Sequence, residues 1–219
     1  MAGEPGTLVG PAPAVGAGTD AVPEPPQAKR ARATRAALLA GARDVFVARG
    51  FEGATIAEIV ARSGTSVGSL YNQFGGKENL FLELHRLHCE LLWEATHLAM
   101  DRARADGADD PFGVYLVGAR AYLVTCWDVR ELARLFLSGD GPPGFDAVTR
   151  SGLRRWISQN AGLLQVADQP FGEALAAAVT GVVAAGARQV VECASREDAI
   201  RMTDYFTALV ARLAGPQTR

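Results

Sequence analysis

The chain has 219 residues, 48% of them hydrophobic, with 22 Lys+Arg against 24 Asp+Glu and three cysteines. That apolar fraction excludes a wholly disordered chain and supplies core for one large domain or two small ones. The cysteines, Cys89, Cys126 and Cys193, are widely spaced without a CxxC pair, which argues against a disulfide framework or a cysteine-based zinc site and suits a reducing compartment.

Residues 1–28 hold six of the 11 prolines and no basic residue; they lack apolar periodicity and read as a disordered Pro/Gly/Ala-rich tail. They also lack the charged start and apolar stretch of a secretory signal. The near-neutral total charge is an average over unlike segments. Residues 1–28 carry three acids, residues 29–80 carry eight bases against four acids, and residues 81–219 are net acidic. A basic block of this size is the electrostatic footprint of a nucleic-acid binder.

Helical signals dominate after residue 30. Leu38, Ala42, Val45 and Phe46 form an i, i+4, i+7, i+8 stripe that Gly50 closes. Thr55-Ile56-Ala57-Glu58 is a capping box that opens a short second helix ending at Ser63-Gly64. A third helix begins near Ser66, with Leu70 and Phe74 facing the core, and Gly75-Gly76 breaks it. A long amphipathic helix is predicted from about Lys77 to Arg104, followed by helices over Pro111–Trp127, Val129–Leu137, Asp146–Leu164, Pro170–Cys193 and Glu197–Leu213. The expected fold is therefore all-α with about nine helices. Its predicted parts are a tail (1–28), a basic helical domain (29–80) and a larger helical domain (81–219). The longest uncharged helical run, Ala174–Ala187, falls short of the roughly 20 residues a spanning helix needs. A soluble, cytoplasmic protein without a membrane partner is expected.

A helix, a tight turn at Ser63–Thr65 and a short helix of small and polar residues form a helix-turn-helix pattern. Thr65 and Ser66 offer hydroxyls and helix N-terminal N–H groups to a phosphate or base edge. Gly68 permits close backbone approach, and Val67 suits a thymine methyl. Asn72 and Gln73 suit adenine edges or phosphates, Tyr71 adds a ring and a hydroxyl, and Lys77 suits a phosphate. Arg30, Arg32 and Arg35 precede the helical stripe, either as an arm reaching a minor groove or as a solvated basic linker.

Thr55–Leu80, with Gly64, Ser66, Gly68, Leu70-Tyr71, Phe74 and Lys77 at these spacings, resembles the tetracycline-repressor-like (TetR/AcrR) family of bacterial transcription regulators. The resemblance implies a homodimer on a palindromic double-stranded operator, with the third helix of each subunit in the major groove. It also implies DNA contacts at Thr55, Thr65, Ser66, Val67, Gly68, Ser69, Tyr71, Asn72, Gln73 and Lys77. Thr65 and Gln73 depart from the family's usual residues at their positions. The implied function is a repressor released by a small apolar effector; the alternative is a regulator controlled by a protein partner or by no ligand, and possibly an activator.

In the C-terminal region, small residues at Ala174, Ala177, Ala178, Gly181, Ala185 and Gly186 allow close helix approach. The last two helices could therefore pair with their copies, or the first of them could be an ordinary core helix. The resemblance puts the dimer contact there. Trp93, Thr96, Met100, Tyr115, Tyr122, Trp127, Phe136, Trp156 and Asn160 are candidates for an apolar pocket with a few polar groups. His85 and Cys89 share a helix face, but no further ligand accompanies them, so no metal is expected. No cofactor and no catalytic residue are expected either, since GxSxG and P-loop motifs are absent.

Overall fold

A computed structural model describes residues 25–214, and among them the chain forms nine α-helices and no strand. The helices are α1 (Pro26–Gly53), α2 (Ile56–Ser63), α3 (Val67–Phe74), α4 (Lys77–Ala105), α5 (Pro111–Asp128), α6 (Arg130–Leu137), α7 (Phe145–Leu163), α8 (Gly172–Val190) and α9 (Arg196–Ala214). The expected all-α class and layout are those observed. Most of the segment read as a tail lies outside the described residues, but its last residues do not. Helix α1 already begins at Pro26, where a proline at the first helical position has its φ preset and gives up an N–H that would lack a partner anyway.

Helix ends follow local chemistry. Gly50 takes a left-handed φ of 69° inside α1, so the regular helix stops there and Phe51–Gly53 form a separate turn that folds Phe51 back into the core. Helix α2 starts with the full capping box: the Thr55 hydroxyl accepts from the Glu58 N–H at 3.2 Å, and the Thr55 N–H donates to Glu58 Oε2 at 3.1 Å. Asp110 caps α5 by accepting from the N–H groups of Phe112 and Gly113.

The N-terminal core gathers Leu38, Ala42 and Phe46 from α1, Ile59 from α2, Leu70 and Phe74 from α3, and Leu80, Phe81 and Leu84 from α4. It does not end with the basic block. Leu135 and Phe136 of α6 and Phe145 of α7 belong to the same cluster. Phe81 stands at its centre, with the rings of Phe46, Phe51, Phe136 and Phe145 all edge-on to it at 5.2–5.3 Å. Edge-to-face contacts of this kind are favoured by the ring quadrupole, on top of the area they bury. The first three helices are thereby bolted to α6 and α7. A second core joins α4, α5, α6, α8 and α9 through Leu92, Leu123, Ala133, Ala187, Val190 and Ala199. No described helix is long and apolar enough to cross a membrane.

Candidate nucleic-acid interface and regulatory cavity

The turn between α2 and α3 is built around Gly64 at φ 64°, ψ 26°, whose N–H closes α2 on the Val60 carbonyl. This left-handed position suits glycine because an L side chain there clashes with the backbone. Ser66 then caps α3, accepting from the Ser69 N–H at 3.2 Å while its hydroxyl meets the Ser69 hydroxyl at 2.9 Å. Behind α2, Gly41 of α1 allows close approach: a Cβ there would lie 2.8 Å from Ser63 Cβ and 3.1 Å from the Ile59 carbonyl oxygen.

With Leu70 and Phe74 buried, the opposite face of α3 is determined by the helical repeat. Val67 (48% exposed) and Tyr71 (51% exposed) stand on it with exposed Gly68 and Asn72. Beyond the Ser66 hydroxyl at 4.0 Å, a Cβ at Gly68 would meet nothing, so the helix surface there is open. On a short rigid helix, an outward apolar group can meet a thymine methyl and an outward carboxamide or hydroxyl can pair with a base edge.

The other residues expected at the interface are more committed to the protein. The Thr55 hydroxyl also donates to Glu58 Oε2 at 2.9 Å, and these bonds hold the Glu58 carboxyl below its ordinary range, aided by Arg49. The Thr65 hydroxyl is half-buried, 2.8 Å from that of Ser63. Gln73 is half-buried. Lys77 differs most from its expected role. Its Nζ donates to the carbonyls of Phe51 at 2.9 Å and Ala54 at 3.0 Å, and lies 4.3 Å from the centre of the Phe51 ring. One N–H remains for a phosphate.

Arg35 was not expected as a structural residue. It lies within α1, with its guanidinium 4.4 Å from the centre of the Phe74 ring, bonded to the Gln73 carbonyl and to Glu83 of α4. It locks the C-terminal end of α3 between α1 and α4. Lys29 and Arg30, one to two turns earlier, are exposed on the same helix, so the arginines that precede the stripe are carried on a helix rather than on an extended arm or linker. Only tertiary packing identifies the Arg35 role; its sequence signal is an arginine three residues before Leu38, the first fully buried core position, which is too common to read.

A cavity of about 390 Å³ lies between α4, α5, α7 and α8. Thr96, Met100, Tyr115, Tyr122, Trp156 and Asn160, all expected at a pocket, line it. Trp93, Trp127 and Phe136 do not. Trp93 stacks on His97 at 3.8 Å, Trp127 is flanked by the guanidinium groups of Arg130 and Arg196, and Phe136 belongs to the Phe81 cluster. Each ring found a better partner elsewhere, which aromatic character alone cannot reveal. His97, Gly118 and Thr180 line the cavity but were missed. Gly118 was legible, since Tyr115, Gly118 and Tyr122 share one face of α5; a Cβ at Gly118 would come within 2.8 Å of Met100, so the glycine allows α4 and α5 to close.

His85 and Cys89 are neighbours, with Nε2 and Sγ 3.5 Å apart, and the His85 ring packs edge-on against Phe136 and Phe145. Burial pushes the Cys89 thiol up to about 11 and that of Cys126 up to about 12. Both are neutral, weakly nucleophilic thiols at neutral pH.

Residues 38–84 match the profile of bacterial regulatory proteins of the tetR family. The whole described fold agrees: a TetR-like transcriptional regulator from Rhodococcus sp. RHA1 superposes with a TM-score of 0.66, over 84% of this chain and 97% of that one, at 24% identity. Residues 38–84 thus carry the sequence pattern of the tetR-family DNA-binding segment, and the described chain has the fold of TetR-like regulators. An HTH-type transcriptional repressor, AcnR of Corynebacterium glutamicum, is 45% identical over 53 residues, which is 24% of this chain and 28% of that repressor. The chain thus spans little more than a quarter of the length of that curated relative. The SmeT–triclosan complex superposes with a TM-score of 0.66, over 82% of this chain and 90% of that one, at 16% identity. The likeness to that curated repressor extends over 53 residues, and the family profile over residues 38–84. The rest of the chain shares the TetR fold.

Proposed function

We propose that this chain is a cytoplasmic homodimeric transcriptional repressor of the TetR family, released from a palindromic operator by a small apolar molecule in the α4/α5/α7/α8 cavity. The observation that carries the DNA-binding part is the outward stripe Val67, Gly68, Tyr71 and Asn72 on α3, a helix locked from behind by Leu70, Phe74 and Arg35. Rigid presentation matters, because a base-reading helix that must first be ordered loses affinity to that entropy. Thr55, Thr65, Ser66 and Ser69 contribute chiefly by capping and shaping the helix ends, whose free N–H groups face phosphates. Gln73 and the remaining N–H of Lys77 reach the backbone at the edge of the contact. Lys29 and Arg30 extend the basic face along α1 and add phosphate attraction that carries no sequence information.

The dimer reading is supported by the outer face of α8 and α9, where Ala174, Ala178, Gly181 and Ala185 leave a smooth surface beside exposed Tyr205 and Leu213. Ligand coupling is supported by α7. Its start, Phe145, sits against Phe81 in the core of the DNA-binding domain, while its Trp156 and Asn160 line the cavity. A ligand that shifts α7 therefore acts on the packing behind the recognition helix. The shift requires different affinities for the two arrangements.

Binding of the purified full chain to fragmented genomic DNA at moderate salt, with sequencing of the retained fragments, tests this reading. The expected result is a small set of sites sharing an inverted repeat. Failure to recover any such motif refutes it. Release from a recovered site in a small-molecule screen then tests the effector.

A further inference from the structure

The cavity lining carries no aspartate, glutamate, lysine or arginine. A charged ligand entering it would give up its hydration with no opposite charge to replace it, a cost that burial makes large. Its walls are aromatic and thioether: the Tyr122 and Trp156 rings lie 5.9 Å apart at 59°, with Met100 and Tyr115 nearby.

The polar groups in the lining are unevenly committed. Thr96 donates its hydroxyl to the Leu92 carbonyl at 2.7 Å, and Thr180 donates its own to the Ala176 carbonyl at 2.7 Å. Asn160, only 6% exposed, donates from Nδ2 to Thr180 Oγ1 at 2.8 Å. This relay fixes the plane of the Asn160 carboxamide and leaves its Oδ1 without a donor among the described residues. His97 Nδ1 lies 2.9 Å from the Trp93 carbonyl; that oxygen can only accept, so Nδ1 is the donor in this bond. Burial raises the pKa of the Tyr115 hydroxyl, which stays a neutral O–H. The lining thus presents, in Asn160 Oδ1, one deeply buried acceptor of fixed direction, beside the Tyr115 hydroxyl and the more exposed Ser158 and Gln159.

We propose that the cavity takes an uncharged, ring-bearing molecule with a hydroxyl of phenolic type, which donates to Asn160 Oδ1 while its ring lies against Trp156 and Tyr122. This rests on the reading of the cavity as the effector site. Thr180 is a positioning residue, since it acts by holding the Asn160 carboxamide in orientation.

The test is titration of the full-length chain at pH 7 with 2-naphthol, 2-methoxynaphthalene and 2-naphthoate, followed by tryptophan fluorescence, with Trp156→Phe identifying the reporter. The naphthol is expected to bind. Methylating the hydroxyl leaves a buried acceptor unpaired and should weaken binding about tenfold, and the carboxylate should bind at least about 100-fold more weakly. Asn160→Leu should abolish the difference between naphthol and its ether. Thr180→Val should narrow it, and serves if the first variant fails to fold. Equal binding of naphthol and ether, or naphthoate binding as tightly as naphthol, overturns the proposed ligand chemistry. No binding by any of the three, in protein that still recovers its operator, overturns the cavity as effector site and the proposal with it.

Discussion

Replacing Lys77 by methionine keeps the aliphatic stem of the side chain and removes its ammonium. The structure gives that ammonium two carbonyl acceptors, Phe51 and Ala54, and a ring face on Phe51. Hydrogen bonds from a charged donor contribute about 1.5–3 kcal/mol each; the half-buried setting argues for the lower end, so the two together give about 3 kcal/mol. The cation–π contact adds about 0.5 kcal/mol at a partly exposed site. At roughly 2–4 °C per kcal/mol for a chain of this size, the variant should melt about 7–14 °C below the parent by circular dichroism. The turn holding Phe51 would loosen first, because the two carbonyls lie on either side of it. A Tm within about 2 °C of the parent would refute the assignment of Lys77 as a staple between α4 and the end of α1. Operator binding of the variant, measured well below its Tm, should keep its salt dependence to within about one phosphate contact.

Tyr71→Ala should weaken operator binding at least about tenfold in a gel-shift or anisotropy assay, while leaving the melting curve and dimer mass nearly unchanged because the ring is half exposed; full-affinity binding would remove Tyr71 from the interface. The double variant Lys29→Ala, Arg30→Ala should weaken specific and nonspecific DNA alike and, with two such residues lost from each subunit of the dimer, lower the slope of log K against log salt by up to about 3.6, and an unchanged slope would show that α1 does not reach the backbone. Acidification should destabilise the fold through His88, which is 6% exposed, has an Nδ1 without a hydrogen-bond partner among the described residues and has its pKa pushed down to about 4, chiefly by burial and secondly by His85. The folded pKa lies below the ordinary 6.5, so the unfolded chain binds more protons between these values. The stabilisation is complete above about pH 6.5 and is lost as pH falls toward 4, reaching about 2 kcal/mol by pH 5. His85, also depressed by burial, acts in the same direction, and His88→Phe should flatten this limb of a urea-denaturation series run from pH 7 to pH 5.

Much of this protein was readable along the chain because the deciding interactions are local. Apolar stripes at helical spacing, the Thr55–Glu58 box and the glycines at 50, 64 and 75 set helix class and helix ends through contacts within a few residues. The basic block and the small-polar third helix marked the DNA-facing segment for the same reason: the buried pair Leu70 and Phe74 leaves Val67, Gly68, Tyr71 and Asn72 facing outward. Tertiary structure decided what each long side chain does, because Lys, Arg and aromatic residues reach partners far away in sequence. Packing turned Arg35 from a residue of a basic arm into a bolt across three helices, and left Lys77 one N–H where three had seemed free. It drew Phe136 into the Phe81 cluster while Trp156 remained at the cavity. The sequence by itself determined which helices form and which face of α3 stays outside; which polar atoms remain unsatisfied in the cavity emerged only once distant helices had paired the rest.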